Sequence, residues 1–366
     1  MLVVNAGSSS LKLSVLGDDD TLLMRREMAV PDETALTEAL ATALGSAPAV
    51  DAAGHRIVHG GLDCTAALLL DDTAETRLEH LSELAPLHNP PAVAAVRALR
   101  GLRPLLPQVA CFDTAFHATL PPEASTYALP ATWQAWGLRR FGFHGLSHAW
   151  ASRRAAELLT RPPEVLRLVT AHVGAGASLA AVIGGRSVDT TMGFTPLEGL
   201  VMATRSGSVD PGILLWVLRH TTLTVDDVED ALTRHSGIAG LSGVSADLRQ
   251  VLEAGDRGDS RARLAFDVYI HRLRAGIAAM AAAMDGVDGV VFTGGAGEGS
   301  ARLRRETCAG LSFLGLQVDD RSNEVSTISR QDQVVSPLGA HPAVLVVHAR
   351  EDIEIAAQVR AVLRQT

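Results

Sequence analysis

The chain has 366 residues, of which 47% are hydrophobic and 20% are charged, a composition typical of a globular protein with a sizeable core. A formal net charge of −9 disfavours nucleic acid and anionic membranes as partners, because both attract an excess of positive charge. No apolar run reaches the ~18 residues of a membrane span, and the N-terminus enters a strand pattern without the basic start of a signal peptide. We therefore expect a cytoplasmic enzyme that acts on a small molecule, without nucleic acid or membrane partners.

Short β-rich segments alternate with longer helical ones, and this alternation predicts an α/β fold. The predicted strands lie in LVVN, LKLSVL, AAGHRIVHGG, VACFDTAF, LRLVTAHVG, ASLAAVIGG, GVVFTGG and AVLVVHA. The predicted helices span residues 32–44, 91–101, 147–160, 212–220, 225–235, 260–284 and 351–364. Glycine and proline clusters separate these elements, and no low-complexity linker interrupts them.

The first predicted hairpin, VVNAGSSSLKLSVLG, carries Lys12, the only lysine in the chain. The stretch VTAHVGAGASLAAVIGG repeats its pattern in the second half of the chain: an apolar strand, a polar residue, a Gly- and Ser-containing turn and a second strand. Such turns can bring backbone N–H groups onto an anion, so the pair predicts an internal duplication with a nucleotide between two similar domains. Each hairpin alone is also compatible with an ordinary tight turn, and Lys12 with an incidental surface lysine.

A third glycine-rich stretch, VVFTGGAGEGS, covers residues 290–300 and precedes the helix-like ARLRRETCAG. A strand, a glycine turn and a helix in this order can present N–H groups to a phosphate or let a base lie against the backbone. The spacing differs from a Rossmann fingerprint, and the lysine of a P-loop is missing. In the following helix, the run RLRR at 302–305 is typical of a solvated face.

Two arginines and two acidic residues stand out from the solvated majority. Arg56 and Arg205 lie in apolar, Gly-rich neighbourhoods, so each either pairs with a distant carboxylate or binds an anionic substrate. Asp113 follows a predicted buried strand, at the edge where open α/β sheets keep their ligands, and a carboxylate there commonly holds Mg²⁺. A helix N-cap is an equally compatible role for Asp113. Glu351 enters the last helix, where a first-turn carboxylate facing the helix dipole is the alternative to a metal ligand.

The 13 histidines form no pair with a third ligand at zinc-like spacing, so the sequence disfavours a zinc site. Three of them lie in Gly or Pro turns, where polar side chains can line a cleft: His88, His144 and His172. Four others are equally compatible with structural roles: His55, His59, His117 and His148. Interleaved apolar residues would form a small pocket or simply core: Val58, Leu87, Phe143 and Pro196.

Two rare residue types also constrain the interpretation. The cysteines are odd in number, far apart and never in a CxxC pair, which argues against disulfides and thiolate zinc sites: Cys64, Cys111 and Cys308. Asparagine occurs only three times, which makes each position informative: Asn5, Asn89 and Asn323.

A series of stretches occurs in a fixed order: NAGSSSLK, HRIVHGG, PLHNP, FDTAFH, RRFGFHGLSH, HVGAGAS, SVDTTMGFTPLEGLVMATRSG, SGVSADLR, FTGGAGEGS and EDIEIA. From Val3 to the last helix, the chain resembles the acetate kinases of the acetokinase family. The resemblance implies an actin-like, ribonuclease H-like α/β fold with two similar domains and a nucleotide cleft between them. It also implies a homodimer and a reversible, Mg²⁺-dependent transfer from ATP to acetate, giving acetyl phosphate and ADP. We expect a first domain of 1–148 plus 352–366, and a second of 149–351 with the nucleotide and dimer contacts.

The resemblance assigns roles to single residues by motif. Arg56 and Arg205 would hold acetate and the transferring phosphoryl group, and His144 would stabilise its charge. Asp113, also a catalytic residue, would organise Mg²⁺ with Glu351. The implied nucleotide contacts are Asn5, Lys12, His172, Gly174, Gly176, Asp247, Arg249, Gly294, Gly295 and Gly297. The implied substrate contacts are His88 and the four residues that would enclose the methyl group, Val58, Leu87, Phe143 and Pro196.

The sequence departs from the family pattern at three positions. Ala175 replaces the Asn of HxGNG, Gly299 stands where GENS has Asn, and Leu62 follows HGG where Glu is usual. Losing one preorganised donor to a charged oxygen can cost ~10² to 10³ in rate, so reduced activity and a different phosphoryl donor both stay open. Propionate or butyrate kinase also stays open, because one methylene is worth only ~1 to 3 kcal/mol of discrimination. A non-kinase actin-like ATPase is a further alternative.

Overall fold

The computed structural model describes residues 1–7, 10–30, 32–83, 85, 89–329 and 331–365. The chain divides into two compact units. The first unit comprises 1–118, 143–150 and 350–366, and the second comprises 119–142 and 151–349. The domain division expected from the sequence, with a boundary at residue 148, assigns 119–142 to the first domain instead. That division stays a prediction.

The first unit is built on a mixed six-stranded sheet. Its strands are β1 Leu2–Ala6, β2 Ser10–Leu16, β3 Leu22–Ala29, β4 Ala53–Ile57, β5 Leu68–Leu69 and β6 Gln108–Phe112. Their order is β3-β2-β1-β4-β6-β5, with β1, β4 and β6 parallel and the remaining pairs antiparallel. The three parallel strands are buried almost throughout, as expected for strands covered on both faces.

The second unit repeats this sheet. Its strands are β7 Arg167–Val173, β8 Ala177–Ile183, β9 Arg186–Thr190, β10 Gly289–Thr293, β11 Gln333–Val334 and β12 Ala343–Val346. Their order is β9-β8-β7-β10-β12-β11, with β7, β10 and β12 parallel and the other pairs antiparallel. Strand order and direction therefore match those of the first unit position by position. The predicted α/β fold with two similar domains is confirmed.

The helices connect the strands of each unit. The α-helices are α1 Glu33–Ser46, α2 Asp72–His80, α3 Asn89–Leu102, α4 Pro122–Ser125, α5 Ala131–Gln134, α6 Gly145–Leu159, α7 Pro211–His220, α8 Val225–Arg234, α9 Gly237–Ser242, α10 Leu248–Asp256, α11 Ser260–Ala283, α12 Gly295–Gly299, α13 Ala301–Ala309, α14 Asp320–Ser329 and α15 Glu351–Leu363. Short 3₁₀ segments lie at Leu81–Glu83, Ala115–Thr119, Pro163–Val165 and Ser312–Leu314. No helix in the described ranges is long and apolar enough to cross a membrane.

The last helix, α15, packs on the sheet of the first unit. Ile355 and Val359 are fully buried there in one cluster with Val3 and Val109. Gly54 makes this close approach possible, because a Cβ at that position would overlap the methyl groups of Ile355 and Val359. The helix therefore brings its N-terminal residue to the carboxyl ends of the parallel strands.

All seven helices predicted from the sequence are present, with ends that differ by a few residues. The prediction missed the strands β3, β5, β9 and β11 and the helices α2, α4, α5, α9, α10, α12 and α14. The strand β3, LLMRREMA, is mostly exposed and carries three charges, so it lacks the apolar run that marks a buried strand. The helix α2, DTAETRLEH, buries only Ala74 and Leu78, which leaves little apolar periodicity to detect.

Candidate active site

The carboxyl end of the parallel strands in the first unit carries a cluster of charged side chains. Arg56, on β4, donates from Nε and Nη2 to the two carboxylate oxygens of Asp113, at 3.2 and 2.5 Å. Its Nε also lies 3.6 Å from a carboxylate oxygen of Glu351. Asn5, on β1, accepts a long hydrogen bond of 3.5 Å from Arg56 Nη1. Of the two roles open to Arg56, the structure therefore shows the pairing with a distant carboxylate.

Asp113 follows β6 directly and is 1% exposed. Burial raises the pKa of its carboxyl group, the Arg56 guanidinium lowers it, and the neighbouring Glu351 raises it again, so that the pKa lies at about 6. Glu351 is the first residue of α15, as the sequence indicated, and its carboxylate faces Arg56. The helix N-cap role considered for Asp113 is wrong, because its carboxylate oxygens bind Arg56 and no helix begins at the next residue.

The donor set at this cluster fits Mg²⁺. Within the described residues no group of three or more His, Cys, Asp or Glu side chains could hold a metal ion. Mg²⁺ commonly needs only one or two protein carboxylates, and it completes its shell with water and phosphate oxygens. Asp113 and Glu351 supply two carboxylates against a single guanidinium, which leaves the cluster with a formal charge of −1 if all three groups are ionised.

A strained turn places His144 next to this cluster in the first unit. His144 has φ +57°, a left-handed conformation that is uncommon for a non-glycine residue, and α6 begins at the following Gly145. The backbone N–H of Gly145 donates to the carbonyl oxygen of Asp113 at 2.9 Å. On the other side of the turn, the carbonyl oxygen of Phe143 accepts from His117 Nε2 at 3.0 Å. Hydrogen bonds therefore fix the backbone on both sides of His144.

The remaining predicted substrate contacts of the first unit are partly described. Phe143 is buried and packs edge-on against the His59 ring at 5.5 Å, and Val58 is half-buried just after β4. Leu87 and His88 lie outside the described residues. The four histidines for which a structural role was open are all buried: His55, His59, His117 and His148.

Arg205, in the second unit, contrasts with Arg56 because it lacks a carboxylate. Among the described residues its guanidinium contacts only the carbonyl oxygen of Pro196 at 3.3 Å and the sulfur of Met202 at 4.0 Å. Burial lowers the pKa of Arg205, and no carboxylate in the described part of the chain offsets this effect. A desolvated guanidinium with open donors is well suited to bind an anion.

Two glycine loops meet in the second unit. The first, residues 174–176, joins β7 to β8, and the second, residues 294–299, follows β10 and includes the short helix α12. A Cβ on Gly174 would lie 3.8 Å from the backbone nitrogen of Gly295, and one on Gly294 would lie about 3 Å from the backbone of Val173. At Gly294 this approach requires glycine, because the residue has φ +78° and a Cβ would meet the Val173 backbone. Both glycine stretches found in the sequence therefore lie at one edge of one sheet.

The first of these loops also reaches the segment that carries Arg205. The carbonyl oxygen of Ala175 accepts from the backbone N–H of Ala203 at 3.1 Å. The Ala175 side chain is exposed, so the position has room for the asparagine that the family pattern has there. His172 lies half-buried at the end of β7, and its ring nitrogen would be 3.7 Å from a Cβ on Gly174.

The second loop rests on a buried arginine. Arg304 is fully buried, and its Nη1 donates to the carbonyl oxygens of Gly297 and Glu298, both at 2.7 Å. The rest of its guanidinium binds Asn323, Ser326 and Thr327. Burial lowers the pKa of Arg304 to about 10. The interpretation of RLRR as a solvated face was therefore wrong for this residue, whose partners come from separate parts of the chain.

The other predicted nucleotide contacts have structural partners of their own. Lys12, on β2, is largely exposed and pairs with Glu27 on β3 at 3.3 Å, where the two residues lie opposite each other in the sheet. Asp247 caps α10 and forms an ion pair of 2.7 Å with Arg249, which lies in the first turn of that helix. These contacts do not exclude a ligand, because the side chains of Lys12 and Arg249 are more than half exposed.

Sequence reasoning missed three residues that support the segment next to Arg205. Glu198 accepts from Tyr127 and from Arg140, at 2.5 and 2.8 Å. Glu198 belongs to the PLEGL stretch that the sequence singled out, but the stretch gives no indication of its partners. Tyr127 and Arg140 come from residues 119–142, which carry little regular structure and no apolar periodicity.

Comparisons with known proteins identify the relatives of this chain. The family model described as the acetokinase family matches residues 26–357. An acetate kinase of Synechococcus sp. is 51% identical over 86% of this chain and 77% of its own length. The solved structure of Porphyromonas gingivalis acetate kinase is 35% identical, covers 99% of both chains and has a TM-score of 0.92. A propionate kinase structure from Francisella tularensis is 32% identical, covers 98% of both chains and has a TM-score of 0.88.

Proposed function

The chain belongs to the acetokinase family, and on this premise we propose that it transfers the γ-phosphoryl group of ATP to acetate, giving acetyl phosphate and ADP. The observation that carries the proposal is the state of Arg205, a half-buried guanidinium with no carboxylate partner among the described residues. Such a cation favours an anion that approaches it, and acetate and the transferring phosphoryl group are both anions. We assign Arg205 to both.

A carboxylate acceptor explains why the predicted set contains no general base. Acetate is already an anionic nucleophile, so the work of the residues is to align two anions and to neutralise charge on the phosphoryl oxygens. We propose that Arg56 and His144 contribute to this neutralisation. The hydrogen bonds on both sides of the His144 turn support a preorganised imidazole, which costs little reorganisation during the reaction.

Asp113 and Glu351 are the residues that we propose for Mg²⁺. Bound Mg²⁺ would supply charge neutralisation at the phosphate oxygens of ATP. Arg56 holds both carboxylates near one another in the described structure. Because the pKa of Asp113 is about 6, its carboxylate is mostly ionised at pH 7 and above, which is the form that a metal ion requires.

The nucleotide would bind at the glycine loops of the second unit. Their mutual approach supports this assignment, since backbone N–H groups of adjoining glycine turns suit phosphate oxygens. We propose contacts from His172, Gly174, Gly176, Gly294, Gly295 and Gly297, with Asp247 and Arg249 at the adenosine and with Asn5 and Lys12 at the phosphates. Ala175 and Gly299 stand where the family pattern has asparagine, so two side-chain donors are missing from this set. We therefore expect this chain to bind ATP more weakly than proteins that follow the pattern.

Propionate is the second candidate substrate. The observation that favours it is the close structural likeness to a protein described as a propionate kinase. We propose that Val58, Leu87, His88, Phe143 and Pro196 bind the acid, and the volume that the four apolar residues leave for the alkyl group would decide the preference. One additional methylene changes discrimination by only ~1 to 3 kcal/mol, so both acids are expected to react at measurable rates.

We further propose a cytoplasmic homodimer. The helix α7 buries none of its residues against its own unit, and Ile213, Leu215 and Trp216 are 54%, 53% and 58% exposed. Large apolar side chains exposed on one helix are typical of an association surface, and a second copy of the chain would cover them. Three free, buried cysteines are compatible with a reducing compartment. Light scattering should give twice the chain mass for the wild type and a lower mass for Trp216→Glu.

The proposed activity is tested by trapping acetyl phosphate as its hydroxamate. Purified protein is incubated with ATP, Mg²⁺ and acetate, propionate or butyrate, and a parallel series replaces ATP with other phosphoryl donors. We expect product with acetate and ATP, and a smaller kcat/KM with butyrate. A wild-type enzyme that forms no acyl phosphate with any of the three acids would overturn the proposal.

A further inference from the structure

The segment 191–199 lies between β9 and α7 and forms neither helix nor strand. It contains Pro196, whose carbonyl oxygen accepts the hydrogen bond from Arg205 described above. Because no ladder of backbone hydrogen bonds fixes this segment, its shape depends on single contacts with other parts of the second unit.

Tyr127 supplies one of these supports. Its hydroxyl oxygen accepts from the backbone N–H of Phe194 at 2.9 Å, and its O–H donates to Glu198 at 2.5 Å. The hydroxyl therefore joins two points of the same segment, four residues apart. Burial and the adjacent Glu198 carboxylate raise the pKa of Tyr127, so the phenol keeps the proton that this donation requires.

Arg140 supplies the other support. Its Nη1 donates to the carbonyl oxygens of Thr191 and Met192, at 3.1 and 3.0 Å, and its Nη2 pairs with the second oxygen of Glu198 at 2.8 Å. The guanidinium also lies over the ring of Tyr127, at 5.4 Å from the ring centroid. Both Glu198 oxygens are thus engaged, one by each support.

The sequence of the segment is adapted to this arrangement at Gly193. A Cβ at Gly193 would overlap both the Glu198 carboxylate and the Tyr127 hydroxyl. In addition, the carbonyl oxygen of Gly193 accepts from the backbone N–H groups of Phe141 and Gly142, at 3.1 and 3.3 Å. Residues 127–142 therefore hold the segment 191–199 at its start, its middle and its end.

We propose that Tyr127 and Arg140 are positioning residues for the carboxylate substrate, and that they act through Glu198 by fixing the segment that carries Pro196 and anchors Arg205. This inference rests on the proposed function, because it assigns the segment to the acid and not to the nucleotide. The second glycine loop is supported by Arg304, and the first contacts Ala203, which lies outside 191–199, so loosening the segment should affect acetate far more than ATP.

The test is Tyr127→Phe, which removes one hydroxyl and leaves the ring. The chain offers a matched control, because its only other tyrosine, Tyr269, is buried in α11 of the same unit and undergoes the same chemical change in Tyr269→Phe. We expect Tyr127→Phe to raise the KM for acetate by about 5- to 30-fold, since it leaves Glu198 and the N–H of Phe194 each short of a partner. The KM for ATP should change less than about twofold.

A second pair of variants guards against a loss of folding. Glu198→Gln keeps the size of the side chain, and Arg140→Lys keeps the charge but loses the fork that reaches two carbonyls and a carboxylate. Both should show the same split, a raised KM for acetate with an unchanged KM for ATP, and both should shift the acetate-to-propionate ratio of kcat/KM.

The outcomes separate the two claims. Tyr127→Phe kinetics equal to those of Tyr269→Phe, or equal rises in both KM values, would overturn the positioning role while acetyl phosphate formation by the wild type stands. A wild-type enzyme inactive with both acids would overturn the proposed function and this inference together.

Discussion

The two units share one sheet but surround their candidate arginines differently. In the first unit, Arg56 extends from the end of β4 into two carboxylates, Asp113 and Glu351. In the second, Arg205 meets only a carbonyl oxygen and a thioether sulfur among the described residues. The two units therefore share strand order and direction, while the connections between the strands determine which charged groups surround Arg56 and Arg205.

The connections themselves explain the difference. In the first unit, β3 and β4 are joined by one helix, α1. In the second, the equivalent strands β9 and β10 are joined by residues 191–288, which hold Arg205 and five helices, α7 to α11. The carboxylates of the first unit therefore lie at strand and helix ends. In the second unit Arg205, which has no carboxylate partner among the described residues, lies on an irregular segment.

We expect the largest difference between the two units when a carboxylate is neutralised, and Asp113 is the residue that tests it. We expect Asp113→Asn to lower kcat by at least about 100-fold, because it removes the charge that would attract Mg²⁺ and that pairs with Arg56. The matched control is Asp288→Asn in the second unit, another buried carboxylate with arginine partners, Arg161 and Arg167. Steady-state kinetics should show that the control keeps kcat within about threefold. Near wild-type kcat in Asp113→Asn at saturating Mg²⁺ would contradict the assignment.

Arg304 tests whether the glycine loop of the second unit depends on a buried cation. Arg304→Met removes the donors to Gly297 and Glu298 and leaves the surrounding buried polar groups without a hydrogen-bond partner. We therefore expect a loss of about 3–5 kcal/mol in the free energy of unfolding. The neighbouring Arg305 is 43% exposed, and Arg305→Met should cost less than about 1 kcal/mol. Urea denaturation measures both, and equal losses would refute the account.

A pair of glycines compares the packing of the two sheets. A Cβ at Gly54 would overlap branched side chains of α15, whereas one at Gly289, on β10, would meet its nearest neighbour, a Leu168 methyl group, at 3.2 Å. We expect Gly54→Ala to cost about 1–3 kcal/mol and Gly289→Ala clearly less. Thermal unfolding monitored by circular dichroism would show the order, and a larger loss for Gly289→Ala would reverse it.

The smallest effect concerns Ala175. Because its side chain is exposed on the first glycine loop, Ala175→Asn should be accommodated and should restore a donor toward phosphate. We expect the KM for ATP to fall by about 3- to 10-fold. Ala175→Leu adds a side chain of similar size without a donor and should bring no such gain. If the two variants behave alike, the position does not face the nucleotide.

The fold was largely predictable because its buried strands and amphipathic helices carry strong local patterns. The duplicated hairpins beginning at Val3 and Val169 indicated two similar units, which the matching sheet orders confirm. The elements that escaped detection are polar or short, such as β3 with its exposed charged residues. Their formation depends on pairing with distant strands more than on local sequence.

Single motifs of the sequence identified candidate site residues, but they did not indicate which residues contact one another. Nothing in HRIVHGG indicates that Arg56 meets Asp113, 57 positions later, because such pairs are created by the sheet. Arg304 was misjudged because the five residues that its guanidinium binds lie 6 to 23 positions away. The scarcity of asparagine was a usable signal, since Asn323 is buried against Arg304 and Asn89 is buried against His59.

Arg205 offers the most direct measurement. Acetyl phosphate formation is compared in the wild type, in Arg205→Ala and in Arg219→Ala, an exposed arginine near the end of α7, with ADP binding measured by calorimetry in each. We predict that Arg205→Ala loses at least about 10³-fold in kcat/KM for acetate, while ADP affinity and the Arg219→Ala enzyme stay close to wild type. An Arg205→Ala enzyme that keeps kcat/KM within tenfold of the wild type would contradict the claim that this unpaired guanidinium binds the reacting anions.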